Sequence, residues 1–201
     1  MNYFISTGEL SGDLHASYIV EKIKNLDKNA KVYAIGGMNL KKQDVEIVRD
    51  IDSLAIMGFV EVVKNFNFLK KVLEETVEFI LSNNIDRVVL VDYGGFNLKL
   101  LERLKLKKPS LKITYYIPPK VWIWGKKRVP KIAKADEILV IFPWEVDFYK
   151  KENVKALYFG NPFMEKYEKI TKKGDNILLL PGSRKQEITK LLPIMLQVVK
   201  E

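Results

Sequence analysis

Cysteine is absent from these 201 residues, and histidine occurs once, at His15. No disulfide framework, cysteine-based zinc site or iron–sulfur site can form, and a histidine-rich metal centre is excluded. Apolar runs are short, and none approaches the ~18 residues that a membrane-spanning helix needs. The opening Met1-Asn2-Tyr3-Phe4-Ile5-Ser6 lacks the basic stretch that begins a secretory signal, so a cytoplasmic location is expected. Internal repeats and low-complexity segments are missing as well. What is present is 47% hydrophobic and 29% charged residues, the balance of a folded domain and not of a disordered chain. The length suits one α/β domain, or one domain and part of another.

Charge is unevenly spread. Of a net +9, the segment from Lys99 to Lys134 carries +11, with Glu102 its one acid. Such a segment favours an anionic partner: nucleic acid, a phosphorylated substrate or an anionic membrane. Lysine-rich, solvated helix faces account for the same count.

Apolar periodicity alternates along the chain. Strands are predicted at Tyr3–Ser6, Lys31–Ile35, Val45–Val48, Arg87–Val91, Ile113–Ile117, Ile138–Phe142 and Ala156–Phe159. Helical spacing lies between them, at Leu14–Leu26, Leu69–Leu81, Leu98–Leu106, Val129–Ala135 and Glu145–Lys151. After Arg87 the Arg87–Val91 strand is apolar without interruption, as in a strand buried on both faces. This rhythm predicts an α/β fold with a doubly wound parallel sheet. Ligands on such sheets bind beyond the carboxyl ends of the strands. A polar stretch near Lys172-Lys173-Gly174-Asp175 marks a boundary, giving domains at 1–172 and 173–201. After it the pattern restarts with a strand at Ile177–Leu180, a Pro181-Gly182-Ser183 turn and a helix from about Gln186. One strand and one helix bury no core of their own. The second unit is therefore expected to be the start of a larger domain.

Several segments are candidates for chemistry. Gly8-Glu9-Leu10-Ser11-Gly12-Asp13 joins the first strand to the first helix, where glycines allow close approach and a helix N-terminus attracts anions. An ordinary loop with Ser11 or Asp13 as helix cap fits equally. Asp92, directly after Arg87–Val91, faces the ligand crevice as a candidate general base, or caps the helix that follows. Tyr116 through Arg128 mixes aromatics with cations, suiting single-stranded nucleic acid, a phosphate or a sugar. Asp50-Ile51-Asp52 matches a metal-binding triplet but is better read as a turn, with Asp52-Ser53 capping a helix. His15, four residues after Ser11, reads as a polar first-turn residue. Ile56–Phe68 is apolar nearly all round, so it is either buried or membrane-facing.

Together these segments resemble the lipid-A-disaccharide synthase family, glycosyltransferases of the GT-B architecture. The resemblance rests on Gly8–Asp13, Met57–Val62, Asp92–Asn97, Tyr116 through Trp122, Trp124 and Arg128, Pro143-Trp144-Glu145 with Phe148-Tyr149, Gly160-Asn161-Pro162 and Leu180–Ile188. They stand in the family's order across nearly the whole chain. Gly94-Gly95, Pro118, Trp144 and Asn161 depart from the family's usual residues.

The resemblance implies the Rossmann-like N-terminal half of a GT-B fold, followed by the beginning of the UDP-sugar-binding domain. It implies transfer of 2,3-diacylglucosamine from its UDP derivative to the 6-hydroxyl of 2,3-diacylglucosamine 1-phosphate, forming a β(1→6) disaccharide with inversion and without a metal or cofactor. Asp92 would be the base. Glu9, Ser11, Gly12, Asp13, Asn97 and Trp122 would line the substrate cleft, and Arg128 would meet the acceptor phosphate. Ser183, Arg184 and Glu187 would hold the leaving UDP. Val60, Val63 and Phe66 would dock the enzyme peripherally on the inner membrane, and the full-length enzyme would be a homodimer. Family members are longer than this chain, so the chain alone is expected to lack UDP-sugar turnover. Two other readings are a related sugar-nucleotide enzyme, such as an epimerase, and a basic nucleic-acid-binding module. The latter leaves Asp92 and the Pro181–Arg184 turn unexplained.

Overall fold

The computed structural model describes residues 1–55, 66–123, 125–166, 174–182 and 185–199. They divide into two compact units, Met1–Glu165 and Lys166–Glu201. The first holds seven strands: β1 (Asn2–Ser6), β2 (Lys31–Gly36), β3 (Glu46–Asp50), β4 (Arg87–Val91), β5 (Lys112–Tyr116), β6 (Glu137–Val140) and β7 (Leu157–Tyr158). Their order in the sheet is β3-β2-β1-β4-β5-β6-β7, and every pairing is parallel. The chain starts mid-sheet, winds outward to β3, then returns to lay β4 on the other side of β1. Reversal at that point leaves the carboxyl ends of β1 and β4 side by side with their loops diverging, which opens a crevice.

Why β4 occupies the centre is written in its side chains. Val88 and Leu90 join one apolar layer, while Val89 and Val91 join the other. A strand buried on both faces has no polar side to offer water. The first layer is completed by α4 (Phe66–Ser82), α5 (Gly94–Lys107), α6 (Val129–Ile132) and α7 (Pro143–Lys151). The second is completed by α1 (Leu10–Leu26) and α2 (Met38–Lys41). On α5, Leu100, Leu101 and Leu104 are fully buried, each contributing about 1.5–3 kcal/mol. The helix stops at Lys107 because Lys108 precedes Pro109, and a residue before proline avoids the helical region. Two short helices, α3 (Asp52–Ala55) and α8 (Phe163–Lys166), and a single 3₁₀ turn at Lys126–Arg128 complete the described elements of this region.

Several expectations change. Helix α1 begins at Leu10, four residues before the predicted Leu14, so Ser11, Gly12 and Asp13 lie inside the helix and not in a loop. Its cap is Glu9, not Ser11 or Asp13. His15 is buried in the second turn, edge-on to the Phe163 ring at 5.1 Å, and burial lowers its pKa. The turn at Asp50 is tied by that residue's own carboxylate, which accepts from the Asp52 N–H at 2.9 Å and pairs with Lys41 at 2.5 Å. In the second unit, α9 (Lys185–Val198) forms, but Ile177–Leu180 is not a strand. The described residues of this unit contain no second strand to pair its main chain, and Ile177, Leu178 and Leu180 are exposed.

Six of the twelve basic residues of the Lys99–Lys134 segment are stitched to acids: Lys105 and Lys112 to Asp136, Arg103 to Glu74, Lys126 to Glu152, and Lys131 and Lys134 to Glu102. Much of that charge closes the surface of the fold. Among the described residues, no helix is long and apolar enough to cross a membrane.

Candidate active site

The crevice is built where β1 and β4 end. After β1, Thr7-Gly8 leads into Glu9 and the open end of α1. The Glu9 side chain makes no capping bond, and the first intrahelical bond runs from the Asp13 N–H to the Glu9 carbonyl at 2.9 Å. The N–H groups of Leu10, Ser11 and Gly12 thus have no helical acceptor, and a 17-residue helix directs its positive end into the crevice. Gly8 is needed for close approach: a Cβ there would fall into the Tyr93 ring. Gly12 has a similar reason, since a Cβ would strike the buried Thr7 Oγ1.

Across the crevice, Asp92 and Tyr93 both adopt left-handed backbone, each with φ near +48°. Ile117, at the end of the neighbouring β5, has φ +55°. Such conformations cost about 1–3 kcal/mol each and persist only where surrounding bonds enforce them. Those bonds are visible. The Asp92 N–H donates to the Tyr116 carbonyl at 3.1 Å, and the Ile117 N–H to the Leu139 carbonyl at 3.0 Å. The Asp92 carbonyl accepts from Asn97 Nδ2 at 2.9 Å and from the Tyr115 hydroxyl at 3.0 Å.

The Asp92 carboxyl is partly buried. Burial first, then the negative charge of Glu9, push its pKa above the ordinary carboxylate value. A hydrogen bond from the Tyr93 main chain and the charge of Lys120 pull the other way. A carboxyl so placed binds a proton more readily than a surface aspartate, which is what a general base requires. The same burial, and then Glu9, raise the Tyr93 hydroxyl pKa.

Asn97 is fully buried and spends its amide on the frame. Its Nδ2 donates to the carbonyls of Ser6, Val91 and Asp92 at 3.1, 3.3 and 2.9 Å, and its Oδ1 accepts from Ser6 Oγ at 2.6 Å. Asp13 is likewise fully buried; its Oδ1 and Oδ2 accept from the N–H groups of Gly37 and Asn39 at 2.6 and 2.8 Å. Neither residue presents a polar atom to the crevice. Their expected place as substrate ligands gives way to a structural one, because every side-chain polar atom is spent on the fold. Trp122 is half-buried, its indole N–H donating to the buried Glu145 at 3.0 Å, with Trp144 edge-on at 6.3 Å. Glu9, Ser11 and Arg128 are exposed, and Arg128 makes no ion pair among the described residues.

In the second unit, Gly182 has φ +108°, and a Cβ there would lie 2.6 Å from Glu187 Oε2, so the Glu187 side chain folds back over the turn. Ser183 and Arg184 fall outside the described residues, as do Val60, Val63 and the Phe66 side chain.

The family model described as Lipid-A-disaccharide synthetase matches residues 3–201. The chain belongs to that family. Curated members similar to it include the lipid-A-disaccharide synthases of Persephonella marina, 36% identical over 96% of this chain and 53% of the relative, and Geobacter metallireducens, 34% identical over 98% and 54%. That of Coxiella burnetii is 33% identical over 96% and 54%. The chain spans about half the length of these lipid-A-disaccharide synthases.

Two solved structures share the fold. UDP-GlcNAc 2-epimerase from Neisseria meningitidis, bound to UDP-GlcNAc, superposes with a TM-score of 0.58 at 10% identity, covering 80% of this chain and 47% of that one. MurG of Acinetobacter baumannii gives 0.52 at 14% identity, covering 98% and 55%. At these identities the likeness speaks for the fold alone: a doubly wound, Rossmann-like sheet, the N-terminal half of a GT-B architecture.

Three residues of this candidate site were not singled out by the sequence reading: Tyr93, Tyr115 and Lys120. Tyr115 had no signal beyond an apolar strand. Lys120 stood in the basic, aromatic segment, and Tyr93 beside Asp92, without any spacing to single them out.

Proposed function

We propose that this chain forms the acceptor-side half of a glycosyltransferase that joins two acylated glucosamines in lipid A synthesis. The donor is UDP-2,3-diacylglucosamine and the acceptor 2,3-diacylglucosamine 1-phosphate. One observation carries the reading: a partly buried carboxyl of raised pKa, at the switch point of the sheet, facing the uncapped end of α1.

The Asp92 carboxylate accepts the proton of the acceptor 6-hydroxyl as that oxygen attacks the anomeric carbon of the donor. The bond from that carbon to the UDP oxygen breaks, its electron pair leaves with UDP, and configuration inverts. Lys120 offsets charge near Asp92. Arg128, exposed and unpaired with any described acid, suits the acceptor 1-phosphate. Ser183, Arg184 and the start of α9 are assigned to the departing diphosphate, whose charge cations and helix N–H groups stabilise. Both substrates are acylated, so the enzyme works at a membrane surface, with Val60, Val63 and Phe66 as contacts.

The test uses a protein spanning the full length of the relatives. Incubated with both acylated sugars, it should yield equal amounts of UDP and of a disaccharide monophosphate, measured by mass spectrometry. Release of UDP with only free hexosamine or an epimer as sugar product would reject the transfer reading.

A further inference from the structure

The rim of the crevice carries an aromatic surface that the reaction as derived leaves unused. Strands β4, β5 and β6 run parallel, so the segment after β6 emerges on the same side of the sheet as Asp92. There Phe142 precedes α7, and Trp144 stands in the first turn of that helix. The two rings lie parallel, 4.5 Å apart between centroids and 14° apart in plane. Phe142 thus covers one face of the indole, yet Trp144 remains 51% exposed. A tryptophan left half in water forgoes much of the gain that burial brings.

Its neighbours are fixed by a buried carboxylate. Glu145 Oε1 accepts from the Trp122 indole at 3.0 Å, and Oε2 from the main-chain N–H groups of Ile141 and Phe142 at 3.3 and 3.1 Å. Trp122 in turn stands edge-on to Trp144. With these neighbours held, the Trp144 ring is in place before any ligand arrives, which lowers the cost of ordering it.

Two cations tie this surface to the candidate base. The Lys120 ammonium lies 5.9 Å from the centre of the Phe142 ring, and its charge also acts on the Asp92 carboxyl. The charge of Arg128 acts on the Tyr115 hydroxyl, which donates to the Asp92 carbonyl. Such groups recognise different parts of one molecule. The negative face of an indole attracts the slightly positive C–H bonds on a flat side of a sugar ring. A guanidinium takes a phosphate. A nucleobase would stack as well, but an ionised carboxylate only accepts hydrogen bonds, and a sugar ring supplies hydroxyl donors around its whole edge.

We infer that Trp144 is a binding residue, whose exposed indole stacks against the pyranose ring of a phosphorylated sugar with a hydroxyl at Asp92. Naming that sugar as the acylated acceptor rests on the function proposed above; the ligand class does not.

The probe is glucosamine 1-phosphate, which has no acyl chains, added at millimolar concentration to the 201-residue chain. Saturating the aromatic protons of the protein by NMR should transfer signal to the C–H groups on one side of the pyranose more than to those on the other. The Trp144 indole N–H resonance, assigned by its loss in Trp144→Phe, should shift. Glucosamine without the phosphate should bind more weakly. Trp144→Leu keeps apolar cover over Phe142 but has no π face, and should weaken binding about threefold to tenfold; Trp144→Phe should weaken it less. Should Trp144→Leu fail to fold, the saturation pattern and the indole shift of the parent chain decide. A folded Trp144→Leu that binds like the parent overturns the inference, as does equal binding of glucosamine and its phosphate. So does an indole that responds to uridine monophosphate or to anionic lipid vesicles and not to the sugar phosphate. In the full-length protein, Trp144-dependent binding of the sugar phosphate without disaccharide product keeps the platform and rejects the proposed reaction. Disaccharide formation whose acceptor KM is unchanged by Trp144→Leu does the reverse.

Discussion

Replacing Asp92 tests chemistry and fold separately, provided two variants are compared. Asp92→Asn keeps the shape, and asparagine is among the few residues at ease in left-handed backbone. Asp92→Ala removes the carboxyl too, but places alanine at φ near +48°, where an ordinary L-residue pays about 1–2 kcal/mol. Both remove the same charge, so the difference between them reports the backbone cost together with the acceptor that the Tyr93 N–H loses in the alanine variant. In a chain of this size, ~2–4 °C accompanies each kcal/mol. Alanine should therefore melt about 2–8 °C below asparagine. The charge has its own sign. The Asp92 pKa is raised in the folded state by burial and by Glu9, so its contribution to stability is fully present below the unfolded pKa. That contribution is lost as pH rises through the folded value. At neutral pH the wild-type carboxylate is thus a burden, and Asp92→Asn should melt at or above wild type. In strong acid the advantage should vanish. Calorimetric scans of the 201-residue chain between pH 3 and 8 measure these differences. In the full-length protein both variants should lose turnover by roughly 10²–10⁴-fold, as for a missing general base. Wild-type turnover in Asp92→Asn, or a wild-type melting point that climbs above that of Asp92→Asn as pH rises, would refute the reasoning.

Asn97→Ala should lower stability by about 2–4 kcal/mol, read from urea midpoints, because three main-chain carbonyls and the Ser6 hydroxyl lose their partner. For Asp13→Asn the cost should be about 1–3 kcal/mol, since one amide –NH₂ must then face the N–H of Gly37 or Asn39. An unchanged midpoint in that variant would show that one carboxylate oxygen suffices. Glu145→Ala frees the Trp122 indole and the main-chain N–H groups of Ile141 and Phe142; tryptophan emission should shift to the red, with a fall in melting temperature.

The sheet was legible because its signal is intrinsic. Val88–Val91 has no polar side in any register, and Leu69–Leu81 shows one apolar face at helical spacing. Asp92 could be placed for the same reason: the end of a two-sided strand in a parallel sheet opens on the crevice. Gly8–Asp13 misled because glycine and aspartate usually signal turns. Here Gly12 sits in a helix that passes too close to Thr7 for any side chain. The structural use of Asp13 and Asn97 was hidden for a different reason. Asp13 is spent on main-chain N–H groups 24 and 26 residues away, and Asn97 on Ser6 91 residues away as well as on nearby Val91 and Asp92, an arrangement that leaves no pattern to read. Ile177–Leu180 shows the converse limit: apolar side chains permit a strand, but only a neighbouring main chain makes one.

A single buried amide, Asn97, clasps the ends of β1 and β4 at once. Those two ends consequently move as one body. Amide hydrogens of Leu90 and Val91 are then expected to exchange only when the whole sheet opens, at the slow end of the molecule's range. Rearrangements that accompany ligand capture must be absorbed elsewhere, in segments without such a clasp. The floor of the crevice behaves as an anvil: it holds its shape while other parts of the molecule do the moving.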